Sequence, residues 1–340
     1  MIPYRIRNAL RKLGVAVLVI ALLVTVVALC WLLWLNRYVV YTRDGIVLDF
    51  GLSIEFPQGN PVTPPEPGVN VDIYYNEGEN ALLPDNAALS QLAGVYVTAD
   101  MLDTQEKFDS AKKYLTTLPA DVPIMLDVKH IHGEFYYTTA LGSQSTVIDA
   151  AKMDALIKEL NSSGHYLIAR MPALRDFLYG RDHVNDGIFR PNRYSLWQDD
   201  QRCYWLHPAA EGTLTYLRQI ITELKDVGFD EVVLTDFRVP DTNDIYFPED
   251  RVKAINDLAA SLVKICASDR FAVSFSNGND SFVLPEGRSR LYLENIPAAD
   301  AAQVAQQSGL ADADIRLVFL TPLMDTRFDD YSVMRPAQIA

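Results

Sequence analysis

The sequence predicts a closed (β/α)8 barrel of the TIM type that follows one transmembrane helix. The first observation is an uncharged apolar run close to the amino terminus, residues 13–35. The second is that most of the remaining chain alternates apolar strands with amphipathic helices. Such alternation is typical of a parallel sheet covered by helices, because parallel strands need long crossover connections. The number of strand and helix units favours closure of that sheet into a barrel.

The apolar run at residues 13–35 is longer than the roughly 20 residues that cross a bilayer. A cleavable signal peptide is the alternative, but its hydrophobic region is usually shorter than this run. Under the positive-inside rule, a cluster of cations before the run places residues 1–12 in the cytoplasm. These cations are Arg5, Arg7, Arg11 and Lys12. We therefore expect a signal anchor, a single-pass cell-membrane protein and an extracytoplasmic carboxyl-terminal domain.

The domain organisation follows from the change of composition after the predicted helix. Residues 36–90 hold a short strand-like run, 45–50, and a Pro-rich segment that is typical of an extended linker. Residues 91–340 then form the predicted barrel domain. The chain has 340 residues and a formal net charge of −14. Because phosphate binding needs a concentrated basic surface, the sequence argues against a nucleic-acid partner.

The barrel domain contains seven predicted strands. The helices expected between them are 107–118, 148–161, 212–227, 248–267 and 298–308. An eighth strand comes from the tail around residues 331–334, is supplied by residues 45–50, or is irregular or missing. An open doubly wound sheet is the alternative fold, although no Gly-rich phosphate loop follows the first strand. The seven strands are 94–100, 123–129, 165–171, 231–237, 271–277, 290–295 and 315–322.

Polar side chains cluster where the predicted strands end, which is the face at which such barrels carry their sites. A glycosidase needs two carboxyl groups, one protonated as the acid and one ionised. Because arginine keeps a neighbouring carboxylate charged, we expect Asp236, near Arg238, to be the ionised group and Glu294 the acid. The alternative is that these residues form structural ion pairs at the rim. The other candidates are Asp127 for catalysis and, for substrate binding, Lys129, His132, Arg170, Trp205, Arg238 and Asp325.

Two further features bear on the ligand. The long segment 172–208 is rich in aromatic residues, which stack on sugar rings or pack together as the core of a lid. The stretch "LDVKHIHGE" carries His130 and His132, a spacing that suits two ligands of a hydrolytic metal. Such a site needs further ligands from other strands, which the remaining histidines do not supply. We therefore expect no metal and no other cofactor.

Several segments, taken together, resemble a known family. "GVYVTAD", "IMLDVKHIHGEFYYTT", "HYLIARMPALRDF", "WLHP" and "ELKDVGFDEVVLTDFRVP" follow the order of a bacterial family of proposed glycoside hydrolases, classed as a domain of unknown function. The resemblance is good over residues 92–240 and looser beyond. It implies a TIM barrel related to the alpha-amylase-like glycosidases and a carbohydrate substrate. The positions that match the pattern are Asp127, Lys129, Arg170, Asp176, Trp205, Pro208, Glu231, Arg238 and Pro240.

The chain departs from the family pattern in two places. Thr235 stands where the family's strand ends in an acidic residue, and Asp236 follows where an aromatic is usual. A shift of one residue along a strand turns a side chain to the opposite face, unless a bulge re-aims it. The second departure is "KHIHG", where acidic residues are usual after the lysine.

Three functions therefore stay open. The first is a membrane-anchored glycoside hydrolase that uses paired carboxylates on a cell-envelope or environmental polysaccharide or oligosaccharide. The second is a glycan-binding or envelope-organising protein without catalysis, on the same barrel. The third is a metal-dependent hydrolase that uses His130 and His132.

Overall fold

The computed structural model describes residues 39–42, 45–48, 89–277 and 281–339, together with Thr25. The chain divides into two compact units, Met1–Tyr75 and Asn76–Ala340. In the first unit, β1 (Val39–Thr42) and β2 (Gly45–Leu48) pair as an antiparallel hairpin. Apart from Thr25, the predicted transmembrane run lies outside the described residues, as does most of the predicted linker. No helix within the described ranges has the length and apolar character needed to span a bilayer.

The second unit is a closed barrel of eight parallel strands, which confirms the barrel and excludes the open sheet. Consecutive strands pair in chain order, and the last strand pairs with the first. The strands are β3 (Ala93–Val97), β4 (Ile124–Asp127), β5 (Leu167–Pro172), β6 (Glu231–Thr235), β7 (Ala272–Ser276), β8 (Leu291–Glu294), β9 (Leu317–Leu320) and β10 (Ser332–Pro336).

The eighth strand comes from the carboxyl-terminal tail, the first of the three sources that the sequence allows. β10 pairs with β9 on one side and with β3 on the other. Gly94 on β3 allows close packing on both sides of this strand, because a Cβ there would lie 2.4 Å from the carbonyl oxygen of Pro123 and 2.7 Å from the sulfur of Met334. The other proposed source, residues 45–50, instead contributes β2 to the hairpin.

Helices follow most of the strands and cover the barrel. Side-chain caps set the starts of four helices, where Thr104, Asp149, Asp176 and Asp250 accept hydrogen bonds from the first turn. Gly228 ends another helix with a left-handed φ of 112°. The helices are α1 (Gln105–Leu115), α2 (Ala150–Ser162), α3 (Phe177–Asp182), α4 (Glu211–Val227), α5 (Arg251–Cys266), α6 (Ala301–Gln307) and α7 (Ala313–Arg316).

The core has two main layers. Apolar residues inside the barrel, among them Met125, Ile168, Val233 and Met334, form one cluster, and the outer faces of the strands pack against the helices in another.

Several strands end earlier than predicted; β6, for example, ends at Thr235 rather than at residue 237. This matters because the polar residues that follow then lie in loops at the carboxyl-terminal face.

Candidate active site

A cavity of about 810 Å³ opens at the carboxyl-terminal ends of the barrel strands. Its walls come from the ends of β4, β5, β6, β7 and β8 and from the loops that follow them. The charged side chains in its lining are Asp127, Lys129, Arg170, Asp236, Arg238, Asp241 and Glu294. The structure therefore brings together both members of the predicted catalytic pair, Asp236 and Glu294.

Asp236 follows β6 with a left-handed φ of 49°. This conformation interrupts the strand's alternation, so that Thr235 and Asp236 both line the cavity although they are consecutive. Phe237 is buried beneath them, with its ring 4.7 Å from that of Phe275. The left-handed turn thus directs the carboxyl group of Asp236 into the cavity, although Asp236 lies one residue after the acidic position of the family pattern.

Burial raises the pKa of the Asp236 carboxyl, and the cations Arg175 and Arg238 oppose this rise only in part. Among the described residues, none donates a hydrogen bond to this carboxylate or forms an ion pair with it. Arg238 does not contact it, because its guanidinium lies over the Trp205 ring, 5.6 Å from the centroid. The raised pKa differs from the expectation that Asp236 is held ionised.

Glu294 ends β8, and its side chain is about half exposed at the cavity. Its Oε1 lies 3.5 Å from Nη1 of Arg170. Arg170 is therefore adjacent to Glu294. The residue after Glu294, Asn295, is also left-handed, with a φ of 60°.

Asp127 and Arg170 are neighbours in the register of β4 and β5. Arg170 donates from Nε to Oδ1 at 2.6 Å and from Nη2 to Oδ2 at 3.2 Å. Oδ2 also accepts the backbone N–H of Ala99 at 2.9 Å. Because its oxygens are already engaged, Asp127 is placed to orient Arg170 rather than to exchange a proton with a substrate.

Lys129 reaches the cavity wall, but its ammonium group is buried. Its Nζ lies 2.6 Å from Oδ2 of Asp176, and neither side chain is accessible to solvent. Asp176 also caps α3 and accepts a hydrogen bond from the Tyr216 hydroxyl at 2.9 Å. Lys129 therefore ties the loop after β5 to the barrel and does not offer its charge to a ligand.

Trp205 does not line the cavity. It is only 3% exposed, and its Nε1 donates to Oδ2 of Asp199 at 3.0 Å. Asp199 also pairs with Arg175, which lies over the same ring. The aromatic residues that do line the cavity are Tyr136, Phe237 and Tyr292. Trp205 thus lies behind the cavity wall and not at the predicted sugar-binding surface, and its ring supports Arg238 and Arg175.

His132 and Asp325, two further predicted binding residues, also lie outside the cavity lining. The backbone N–H of His132 donates to Nδ1 of His130, and the two rings are 4.8 Å apart. Asp325 is exposed, and hydrogen bonds from Arg327 lower its pKa to about 2. Within the ranges that the structure describes, no three His, Cys, Asp or Glu side chains are placed to hold a metal ion.

Several lining residues are not among the predicted site residues, and Tyr136, Asn277 and Asp241 are three of them. Tyr136 enters because its backbone N–H bonds to the carbonyl of Val128, which folds the chain back over β4. Asn277 donates from Nδ2 to the carbonyl of Phe237 at 2.9 Å and so fixes the turn that holds Asp236. Asp241 lies on the loop after β6. Asn277, as a polar residue directly after a strand, carried a signal in the sequence; the other two did not.

The comparisons with known proteins agree with this fold. Among solved structures, an exo-β-N-acetylglucosaminidase of family GH20 from Vibrio harveyi has a TM-score of 0.50 at 8% identity; the match covers 68% of this chain and 41% of the enzyme. The chain thus spans about two-fifths of that enzyme, and the likeness concerns the fold alone.

Two smaller structures also match. A hypothetical protein from Ruminiclostridium thermocellum has a TM-score of 0.46 at 18% identity, covering 54% of this chain and 97% of that one. The glycoside hydrolase domain of PelA from Pseudomonas aeruginosa has a TM-score of 0.45 at 15% identity, covering 73% and 96%. No curated protein resembles the chain closely enough to count as a match.

A family model described as "Putative glycosyl hydrolase domain" matches residues 94–268, just over half of the chain. This range runs from β3 to the end of α5 and includes Asp127, Lys129, Arg170 and Asp236, while Glu294 lies beyond it. The chain therefore belongs to this glycosyl hydrolase family, DUF4015.

Proposed function

We propose that the protein hydrolyses glycosidic bonds of a cell-envelope or environmental polysaccharide, with Asp236 and Glu294 as its two working carboxyl groups. The observation that carries the proposal is that both groups line one cavity, in different electrostatic surroundings. Paired carboxyl groups with opposite protonation states are what glycoside hydrolysis requires.

The surroundings favour Asp236 as the acid and Glu294 as the ionised group. Burial raises the pKa of Asp236, which favours the protonated form that donates to the leaving oxygen. The guanidinium of Arg170 lies 3.5 Å from Glu294 and is a cationic partner for it. This reverses the division expected from the sequence, because the side chain of Arg170 turns toward Asp127 and Glu294.

Asp127 supports this arrangement without taking part in proton transfer. Its two oxygens hold the Arg170 guanidinium in a bidentate contact, which leaves Nη1 directed at Glu294. We assign Arg170 and Arg238 to substrate binding and Asp127 and Lys129 to positioning.

The proposal extends to location. The uncharged run 13–35 and the cations before it support a protein anchored in the cell membrane, with residues 1–12 inside and the barrel domain outside. Addition of protease to intact cells tests this directly. The barrel domain of intact cells is expected to be digested. If the protease digests the barrel domain only after the cells are lysed, the proposed orientation is contradicted.

The catalytic proposal is tested with the full-length chain on a panel of polysaccharides and oligosaccharides. Asp236→Asn and Glu294→Gln are each expected to lower turnover about 100-fold or more, as for loss of a general acid or base. Matched controls are Asp257→Asn and Glu106→Gln, which make the same chemical changes on exposed helix surfaces. Binding without turnover by the parent chain would support the glycan-binding alternative, and activity that a chelator abolishes and zinc restores would support the metal-dependent one.

A further inference from the structure

A second cavity of about 270 Å³ adjoins the main one, and the two share the lining residues Arg238, Val239, Asp241 and Asn277. It lies over the first turns of α5, whose Arg251, Val252, Ile255 and Asn256 complete the wall together with Phe282. Since the two cavities share these walls, a chain of sugar units bound at Asp236 and Glu294 has room to extend into this space.

Arg251 enters the second cavity with its guanidinium fixed by neutral groups. Nη1 donates to the carbonyl of Pro240 at 3.0 Å, and Nη2 donates to the carbonyl of Thr242 at 2.9 Å. The nearest carboxylate is that of Asp241, 3.3 Å away, whose side chain is fully exposed to solvent. The two backbone carbonyls orient the Arg251 guanidinium and leave its charge in place. The exposed ion pair with Asp241 offsets that charge only weakly.

Arg238 supplies a second cation at the junction of the two cavities. It is exposed, and in the part of the chain that the structure describes it forms no ion pair. The Trp205 ring beneath it positions the guanidinium through a cation–π contact.

The remaining wall is apolar and comes from Val239, Val252, Ile255 and Phe282. It suits the carbon face of a sugar ring, while the two guanidinium groups suit an anionic substituent on that ring. We propose that this second cavity is a subsite for a sugar unit with an anionic group, a carboxylate or a phosphate ester, held by Arg238 and Arg251. The inference rests on the proposed function and deepens it, because it assigns the substrate to the acidic glycans despite the protein's net charge of −14.

The test measures binding by the full-length chain carrying Asp236→Asn, in which cleavage is suppressed. The probes are immobilised uronic-acid glycans, the same glycans after carboxyl reduction, and phosphorylated and neutral glycans. We expect an acidic glycan to bind about tenfold or more tightly than its neutral counterpart, as for loss of a charged hydrogen bond. Binding of the uronic-acid glycans or of the phosphorylated glycans shows whether the anionic group is a carboxylate or a phosphate ester.

Arg251→Gln and Arg238→Gln in this background are each expected to weaken binding of the acidic glycan about tenfold or more. The control Arg218→Gln makes the same change on the exposed surface of α4 and is expected to have no effect. Thermal unfolding of each variant checks that it folds. The comparison of the acidic glycan with its reduced form needs no change at either arginine, so it stays informative if one variant does not fold.

Equal binding of the acidic glycan and its neutral form, no binding of any acidic glycan, or binding that survives both arginine substitutions would overturn the inference. Turnover by the parent chain is measured separately. Cleavage of neutral glycans only would overturn the anionic subsite and leave the hydrolase proposal standing. Arginine-dependent binding of an acidic glycan without cleavage would support the anionic subsite and overturn the hydrolase proposal.

Discussion

Glu231 and Arg290 form an ion pair at the amino-terminal end of the barrel, with Nη1 2.5 Å from Oε2 and almost no exposure of either side chain. Ser274 and Tyr292 donate to Oε1 of Glu231, and Tyr166 donates to Oε2. This network starts at the amino-terminal end of the barrel and extends inward to Tyr292, which also lines the cavity. Glu231 is one of the positions that match the family pattern, and the structure gives it a role in stability rather than in catalysis.

Glu231→Ala is therefore expected to destabilise the protein by about 3–5 kcal/mol, because it leaves the buried charge of Arg290 unpaired. Urea denaturation measures the change in the free energy of unfolding. The exposed pair of Lys253 and Asp257 provides the control, since Asp257→Asn should change that free energy by less than about 1 kcal/mol. A loss of activity by Glu231→Ala in the fully folded state, without loss of stability, would contradict this assignment.

A second prediction concerns pH. If Asp236 is the acid, activity falls as the pH rises through its raised pKa and the proton is lost. Arg175 lowers that pKa, while Asp199, its ion-pair partner, raises it. Arg175→Gln removes the cation and frees the Asp199 charge, so both effects raise the pKa of Asp236. The basic limb of the kcat/KM profile should then move to higher pH, and a shift to lower pH would exclude Asp236 as the acid.

A third prediction concerns the cost of the site to stability. Because the pKa of Asp236 is higher in the folded than in the unfolded state, its contribution to stability is greatest at low pH and falls as the pH rises between the two values. Asp236→Asn removes this dependence. The variant should be more stable than the parent chain at pH 7 and should show a smaller loss of stability from pH 4 to pH 7. Thermal unfolding across this range provides the measurement, and a less stable Asp236→Asn variant would argue against a desolvated carboxylate.

The contact between Asp127 and Arg170 supports a fourth prediction. Asp127→Asn and Arg170→Lys should each lower kcat/KM about tenfold to 100-fold, because each breaks the bidentate contact that aims Arg170 at Glu294. The double variant should lose little more than either single variant, since both act through the same contact. Additive losses would mean that Asp127 works independently of Arg170.

The alternation of strands and helices was sufficient to predict the barrel, because period and burial are local properties of the sequence. The tail strand β10 was ambiguous, since its closure depends on β3 and on Gly94, far away in the chain. In the same way, the sequence predicted that Asp236 and Glu294 lie at strand ends, but it did not predict that Arg170 contacts Glu294. Which carboxylate Arg170 reaches depends on side-chain directions across three strands, and no spacing along the chain specifies them.

The left-handed backbone at Asp236 has a consequence for how this protein can change. Few residues other than Gly, Asn and Asp accept a positive φ easily, so this position sets both the shape of the turn and the chemistry of the cavity. Glutamate, the usual substitute for an acid, is poorly suited to the turn, whereas asparagine preserves the turn and removes the acid. If Asp236 is the acid, this chain is one substitution from a glycan-binding protein with the same fold.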